Sequence, residues 1–173
     1  MNRVLFATWL ILAATAASAQ TPYAGMQARA VKALSEQQVA DLRDGRGMGL
    51  ALAAELNGYP GPSHVLELAD RLKLSAEQRA GMQRLFDAMK AEALPLGARL
   101  IEQEADLDRQ FATRTVTPES LKASTAAIAV TQGALRETHL KYHLSTVDLL
   151  SPAQLHRYAE LRGYADKPTH HHH

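Results

Sequence analysis

The stretch Leu74–Leu107, "LSAEQRAGMQRLFDAMKAEALPLGARLIEQEADL", decides the fold. Met82, Phe86, Met89, Ala93, Leu96, Leu100 and Leu107 follow steps that alternate between four and three. Only an α-helix gathers residues so spaced onto one face. Ser75 and Gln78 supply the start: a Ser hydroxyl accepts from the backbone N–H three residues on, and the Gln side chain reaches back to the Ser N–H. Pro95 lies inside the run. A proline there removes one backbone hydrogen bond at a cost of up to ~3 kcal/mol. The apolar register nevertheless continues past it, so the spacing predicts one kinked helix rather than two.

Downstream, Thr117-Pro118 restarts the chain with a cap and a first-turn proline. Leu121, Ile128, Leu135, Tyr142 and Leu149 then recur every seven residues, and the positions between them on the seam are small: Ser124, Thr131, Thr138 and Ser145. This predicts a second long helix that packs closely on a partner. Two long helices joined by a short polar loop become antiparallel neighbours. A last short helix is expected over Pro152–Leu161, ending at Gly163. Upstream, helices are expected after Ser35, over Met48–Leu56 and over Ser63–Lys73, separated by the breakers Gly45–Gly49, Asn57-Gly58 and Pro60-Gly61-Pro62. The fold class is all-α: a long antiparallel helical hairpin with shorter flanking helices.

Composition agrees. Aromatic residues are only 5%, and Ala and Leu, which lose little on entering a helix, abound. The net charge of +1 gives no electrostatic case for nucleic acid. With no cysteine, disulfides, thiol catalysis, thiolate metal sites and a cysteine-linked lipid anchor are excluded. The first residues, "MNRVLFATWLILAATAASAQ", combine Arg3, an apolar run and the small-residue site Ala17-Ser18-Ala19. That is the pattern of a secretory signal peptide. Its apolar run is short against the ~20 residues of a membrane span. Cleavage after Ala19 leaves a chain starting at Gln20, with no stable membrane insertion and, in a bacterial cell, a periplasmic location. The expected organisation is a signal peptide over 1–19, an extended segment over 20–34, a helical domain over 35–165 and a disordered tail over 166–173. His170–His173 read equally as a natural metal-binding end or as part of an affinity tag.

The pentapeptide L-S-x-x-Q occurs three times, at Leu34, Leu74 and Leu150. Each copy is a capping box. The second also opens the long helix, and the third continues as "LSPAQLHRYAELRGY". With Leu74, Ser75, Gln78, Leu150, Ser151 and Gln154 in these places behind an export signal, the region from Leu68 to Gly163 resembles the Spy/CpxP family of periplasmic proteins. There the motif is LTxxQ, and Ser stands here for Thr. The block "GRGMGLALAAELNGYPGP" has no counterpart in the best-known members. The resemblance implies an ATP-independent chaperone that holds unfolded periplasmic proteins on a helical hairpin surface, or a modulator of an envelope-stress sensor, working as a homodimer. Relatives of the ZraP and CnrX kind bind metal ions.

The residues themselves offer a metal alternative. His139 and His143 stand four apart, on one face of the second long helix. That is the geometry of two ligands from one helical turn. No cofactor is required by the chaperone reading; on the alternative, Zn, Cu, Ni or Co would be held with a further ligand such as His64, Glu67 or Met48. The segment is not H-E-x-x-H, so it lacks the general base of a zinc hydrolase. The Gly45–Gly49 cluster lacks the Gly-Lys-Ser/Thr end of a phosphate loop and reads as a helix break or close crossing. No catalytic constellation stands out, and the protein is expected not to be an enzyme. Met82, Phe86 and Met89 read as core or, if the seam stays open, as an adaptable client or dimer surface.

Overall fold

A computed structural model of the chain describes residues 23–164. The expected signal peptide and the His-ending tail lie outside the described residues. The protein is all-helical, with α1 Glu36–Arg43, α2 Leu52–Glu55, α3 Pro62–Glu67, α4 Ala76–Ala112, α5 Pro118–Val147 and α6 Pro152–Arg162. No described helix is long and apolar enough to cross a membrane.

Helix starts follow local side-chain chemistry. Ser35, Ser75, Thr117 and Ser151 each close a full capping box, with Gln38, Gln78, Ser120 and Gln154 as the reciprocal partners. α4 is unbroken across Pro95. α4 and α5 pack along their length, and their contacts run in opposite senses. Gln110 reaches Ser124 near the connecting loop, and Glu92 meets Lys141 and Tyr142 further down.

Three boundaries differ from the expectation. The segment before α1 is not extended where described: it runs in turns with one 3-10 turn at Met26–Ala28, and Val31 is buried. The helix expected over Met48–Leu56 shrinks to α2, because Met48 and Gly49 take left-handed backbone (φ 45° and 81°) that an α-helix cannot accommodate. α3 ends at Glu67 and gives way to turns up to Lys73, which is left-handed at φ 51° and reverses the chain into Ser75.

Two apolar clusters hold the helices together. One gathers Leu42, Ala93, Leu100, Ile128 and Leu135. The other gathers Val65, Leu72, Met82, Leu150 and Tyr158 under the start of α4 and α6. Gly97 permits the closest crossing. A Cβ there would stand 2.4 Å from the Leu42 carbonyl oxygen, so α1 lies directly on the α4 backbone.

Met82 and Met89 are thereby corrected as a client or dimer surface. Met82 is completely enclosed in the second cluster, and Met89 is buried against a cavity described below. Phe86 is half-buried. Exposed apolar side chains are spread over the molecule, Leu52, Leu56 and Phe111 among them, and on α5 Ala126, Ala129 and Gly133 accompany Val130, which is 73% exposed.

Candidate functional site

The second and third copies of the pentapeptide meet. Gln78 donates to the Gln154 side-chain oxygen at 2.9 Å and to the Leu149 carbonyl at 2.8 Å. Gln154 donates back to the Gln78 side-chain oxygen at 3.0 Å and to the Leu72 carbonyl at 3.3 Å. Each glutamine oxygen also accepts from its own cap residue, Ser75 or Ser151. One amide thus closes a helix start and ties it to the other. Leu74 and Leu150 belong to the same apolar cluster beneath. The first copy caps α1 in the same way, but Gln38 makes no such bridge.

Above this lock, α5 presents His139 and His143 to the glycine- and proline-rich block between α1 and α3. Both rings are buried. Each is covered by a glycine. A Cβ on Gly47 would lie 3.3 Å from His139 Nδ1, and one on Gly61 would lie 2.9 Å from His143 Cε1 and Nε2. At Gly61 a side chain would collide with the ring, and at Gly47 it would press His139 aside by a few tenths of an ångström. The two glycine-rich turns are therefore shaped to these two histidines. Between them is a cavity of about 210 Å³, lined by Met48, Glu55, His64, Met89, His139 and His143 among others.

Glu55, from α2, is the anchor that the sequence reading missed. It is 4% exposed yet fully engaged. It accepts from Tyr158 Oη, from the Gly61 N–H at 3.1 Å and from Tyr164 Oη at 3.4 Å. His64 Nδ1 and Arg162 Nε stand 3.3 and 3.8 Å from the same carboxylate. Burial alone would raise its pKa. The contacts with His64 and Tyr158, the His64 charge and the Gly61 N–H outweigh that and hold it down at about 2. Burial and this carboxylate push the Tyr158 hydroxyl the other way. The one available signal was a single acid inside the apolar run "ALAAEL". Glu67, a candidate ligand by sequence, is exposed and stands 3.9 Å from Arg162 instead.

The histidines differ in what they leave free. His143 Nδ1 lies 2.6 Å from the Tyr59 carbonyl oxygen. A carbonyl only accepts, so Nδ1 carries a proton, and in the neutral ring the lone pair is then on Nε2. A histidine that holds a metal is commonly oriented this way, its second nitrogen donating to backbone. His139 Nε2 is buried with no hydrogen-bond partner at all. Burial, with the charge of His143 adding to it, lowers the His139 pKa and keeps the ring neutral. His64 shares the cavity wall but is turned to Glu55. Among the described residues no three His, Asp or Glu side chains form an ion-holding set. The donors facing the cavity and not otherwise committed are imidazole nitrogen and methionine sulfur.

The chain matches no protein-family model, no curated protein and no solved structure.

Proposed function

We propose that the chain is an exported, non-catalytic helical protein that binds a metal ion in the cavity between the Gly47 and Gly61 turns and α5. The α4–α5 pair serves as a hairpin scaffold of the Spy/CpxP kind, with the paired pentapeptides fixing its base. The observation that supports this best is His139 Nε2. A buried polar atom without a partner costs about 1–3 kcal/mol. The same imidazole lines the cavity together with His143, Met48 and Met89, and a ligand bound among these four side chains would give the ring a partner. The test is calorimetric titration of Zn, Cu, Ni and Co into the full chain with His170–His173 replaced by serine. One equivalent should bind and should be lost in His139→Leu/His143→Leu. No binding, or binding unchanged in that pair, overturns the reading.

A second reading is ATP-independent holding of unfolded periplasmic proteins, or modulation of an envelope-stress sensor, with a homodimer as the working form. The outward face of α5 favours it. Ala126, Ala129, Val130 and Gly133 are exposed there, beside a groove lined by Leu34, Leu50 and Leu100. Apolar surface of this kind suits extended apolar segments. Suppression of client aggregation without ATP, weakened by Val130→Glu, is the expected result. No suppression at several-fold excess removes this reading.

A further inference from the structure

We infer that the ion is a soft, singly charged one, Cu(I) in the cell, held by the imidazoles of His139 and His143 with Met89 and Met48 sulfur. This rests on the metal-binding reading above and narrows it to a class of ion. Three observations lead to it.

The first is the donor set. Glu55 is the one carboxylate among the cavity residues named above, and its oxygens are committed to Tyr158, Gly61 and Tyr164. Zn, Ni and Co in their divalent states favour three or more nitrogen, oxygen or thiolate donors, and Mg and Ca require oxygen. What remains here is imidazole and thioether. Neutral nitrogen and thioether sulfur are donors suited to Cu(I).

The second is charge. Arg162 stands 3.8 Å from Glu55 and offsets its negative charge. No second anion lines the cavity. A doubly charged ion would enter a buried, largely apolar space without compensation, and the desolvation cost grows steeply with charge. A singly charged ion on neutral donors avoids most of that cost.

The third is the placing of the methionines. Met89 is buried on α4 and faces α5 across the cavity. Met48 is held in left-handed backbone, a conformation that costs a residue with a side chain about 1–2 kcal/mol. It is 40% exposed at the mouth of the same cavity. The two methionines thus line one cavity, one buried and one reaching solvent. Thioethers in this role also explain why no third histidine or acid is needed.

The full chain with His170–His173 replaced by serine is offered Cu(I) under reducing, oxygen-free conditions against a coloured Cu(I) chelator. Ag(I), Zn(II) and Ni(II) are titrated in parallel. The expected result is one Cu(I) or Ag(I) withdrawn from the competitor, with Zn(II) and Ni(II) weaker by about a hundredfold or more. Met89→Leu, a volume-conserving change, should weaken Cu(I) by about tenfold or more while the thermal midpoint stays in place. His139→Leu should abolish binding with the fold intact. If Zn(II) or Ni(II) is preferred and depends on His139, the ion class is wrong while the metal site stands. If Cu(I) binding is unchanged in Met89→Leu combined with Met48→Leu, the thioether role is wrong. If no ion binds, this inference and the metal reading both fall.

Discussion

Gln78 and Gln154 hold each other by reciprocal side-chain hydrogen bonds of 2.9 and 3.0 Å. Each amide is fixed three ways: to its own helix cap, to the other amide and to a backbone carbonyl just before the other cap. A one-atom change in either side chain would disturb two helix starts at once.

Gln78→Ala and Gln154→Ala should each destabilise the protein by about 1–2 kcal/mol, since each strands buried carbonyl groups. Their effects should not add. Once one amide is gone the other has lost its partner, so the double variant should fall short of the sum by about 1 kcal/mol. Urea unfolding of the four proteins reads the coupling directly. Gln38→Ala, which removes a cap without a bridge, should couple with neither.

Two glycines in the long helices make opposite predictions. Gly133 has open space where a Cβ would go. Gly133→Ala should therefore stabilise by about 0.5–1 kcal/mol through helix propensity alone. Gly97→Ala would drive a methyl group to 2.4 Å from the Leu42 carbonyl oxygen. It should destabilise by about 1–3 kcal/mol as α1 is forced off α4. Thermal denaturation of the two variants, matched in chemistry and opposite in sign, checks the α1–α4 crossing.

The capped helix starts were legible in the sequence, and so was most of the seam, whereas α2 begins at Leu52 and not at the expected Met48. Ser35, Ser75, Thr117 and Ser151 announce their helices because capping is a local exchange among four residues. Ile128, Leu135 and Tyr142 are buried at their sevenfold spacing. His139 and His143 were legible as a pair for the same reason, being one turn apart. What surrounds them was not. Glu55 reaches Tyr158 across 103 positions of sequence, and Gly61 reaches His143 across 82. No periodicity reports a contact of that range. The Gly-rich block looked like a mere break because its purpose, bringing backbone onto two rings, is visible only once those rings are in place. Met82 and Met89 read by spacing as core first and open surface second, and the packing of α3 and α6 on Met82 and the walls of the cavity around Met89 place both inside.

Glu55 sets an acid limit on the fold. Its pKa is about 2 in the folded protein against an ordinary 4.5. A lowered pKa means that the unfolded chain binds the proton more readily. Stability from this carboxylate is fully present above about pH 4.5 and is lost as the pH falls towards 2. Glu55→Gln should be less stable than the parent at pH 7, with the gap closing between those two values. Chemical denaturation across that range should show the convergence. A gap independent of pH would mean that the buried carboxylate is not ionised.

His139 makes the complementary statement near neutrality. Its folded pKa lies below the ordinary 6.5. The unfolded chain therefore takes up a proton that the folded one refuses, and stability declines as the pH drops below about 6.5. His139→Leu should remove that part of the slope. Because the change also removes a buried nitrogen without a partner, the variant should be no less stable than the parent at pH 7, and up to about 1–3 kcal/mol more stable. A structural histidine with satisfied hydrogen bonds would show the reverse. Unfolding of parent and variant at pH 5, 6 and 7 separates the two.

The most direct test of the central claim is the ring-nitrogen NMR spectrum of the full chain, His170–His173 replaced by serine, before and after one equivalent of Ag(I). The ion is diamagnetic and redox-inert, and each histidine reports separately. The expected result is that a ring nitrogen of His139 and Nε2 of His143 shift together and saturate at one equivalent, while the exposed His156 stays in place and His143 Nδ1 keeps its proton on Tyr59. Shifts confined to His64 or His156, or none at His139, would contradict it.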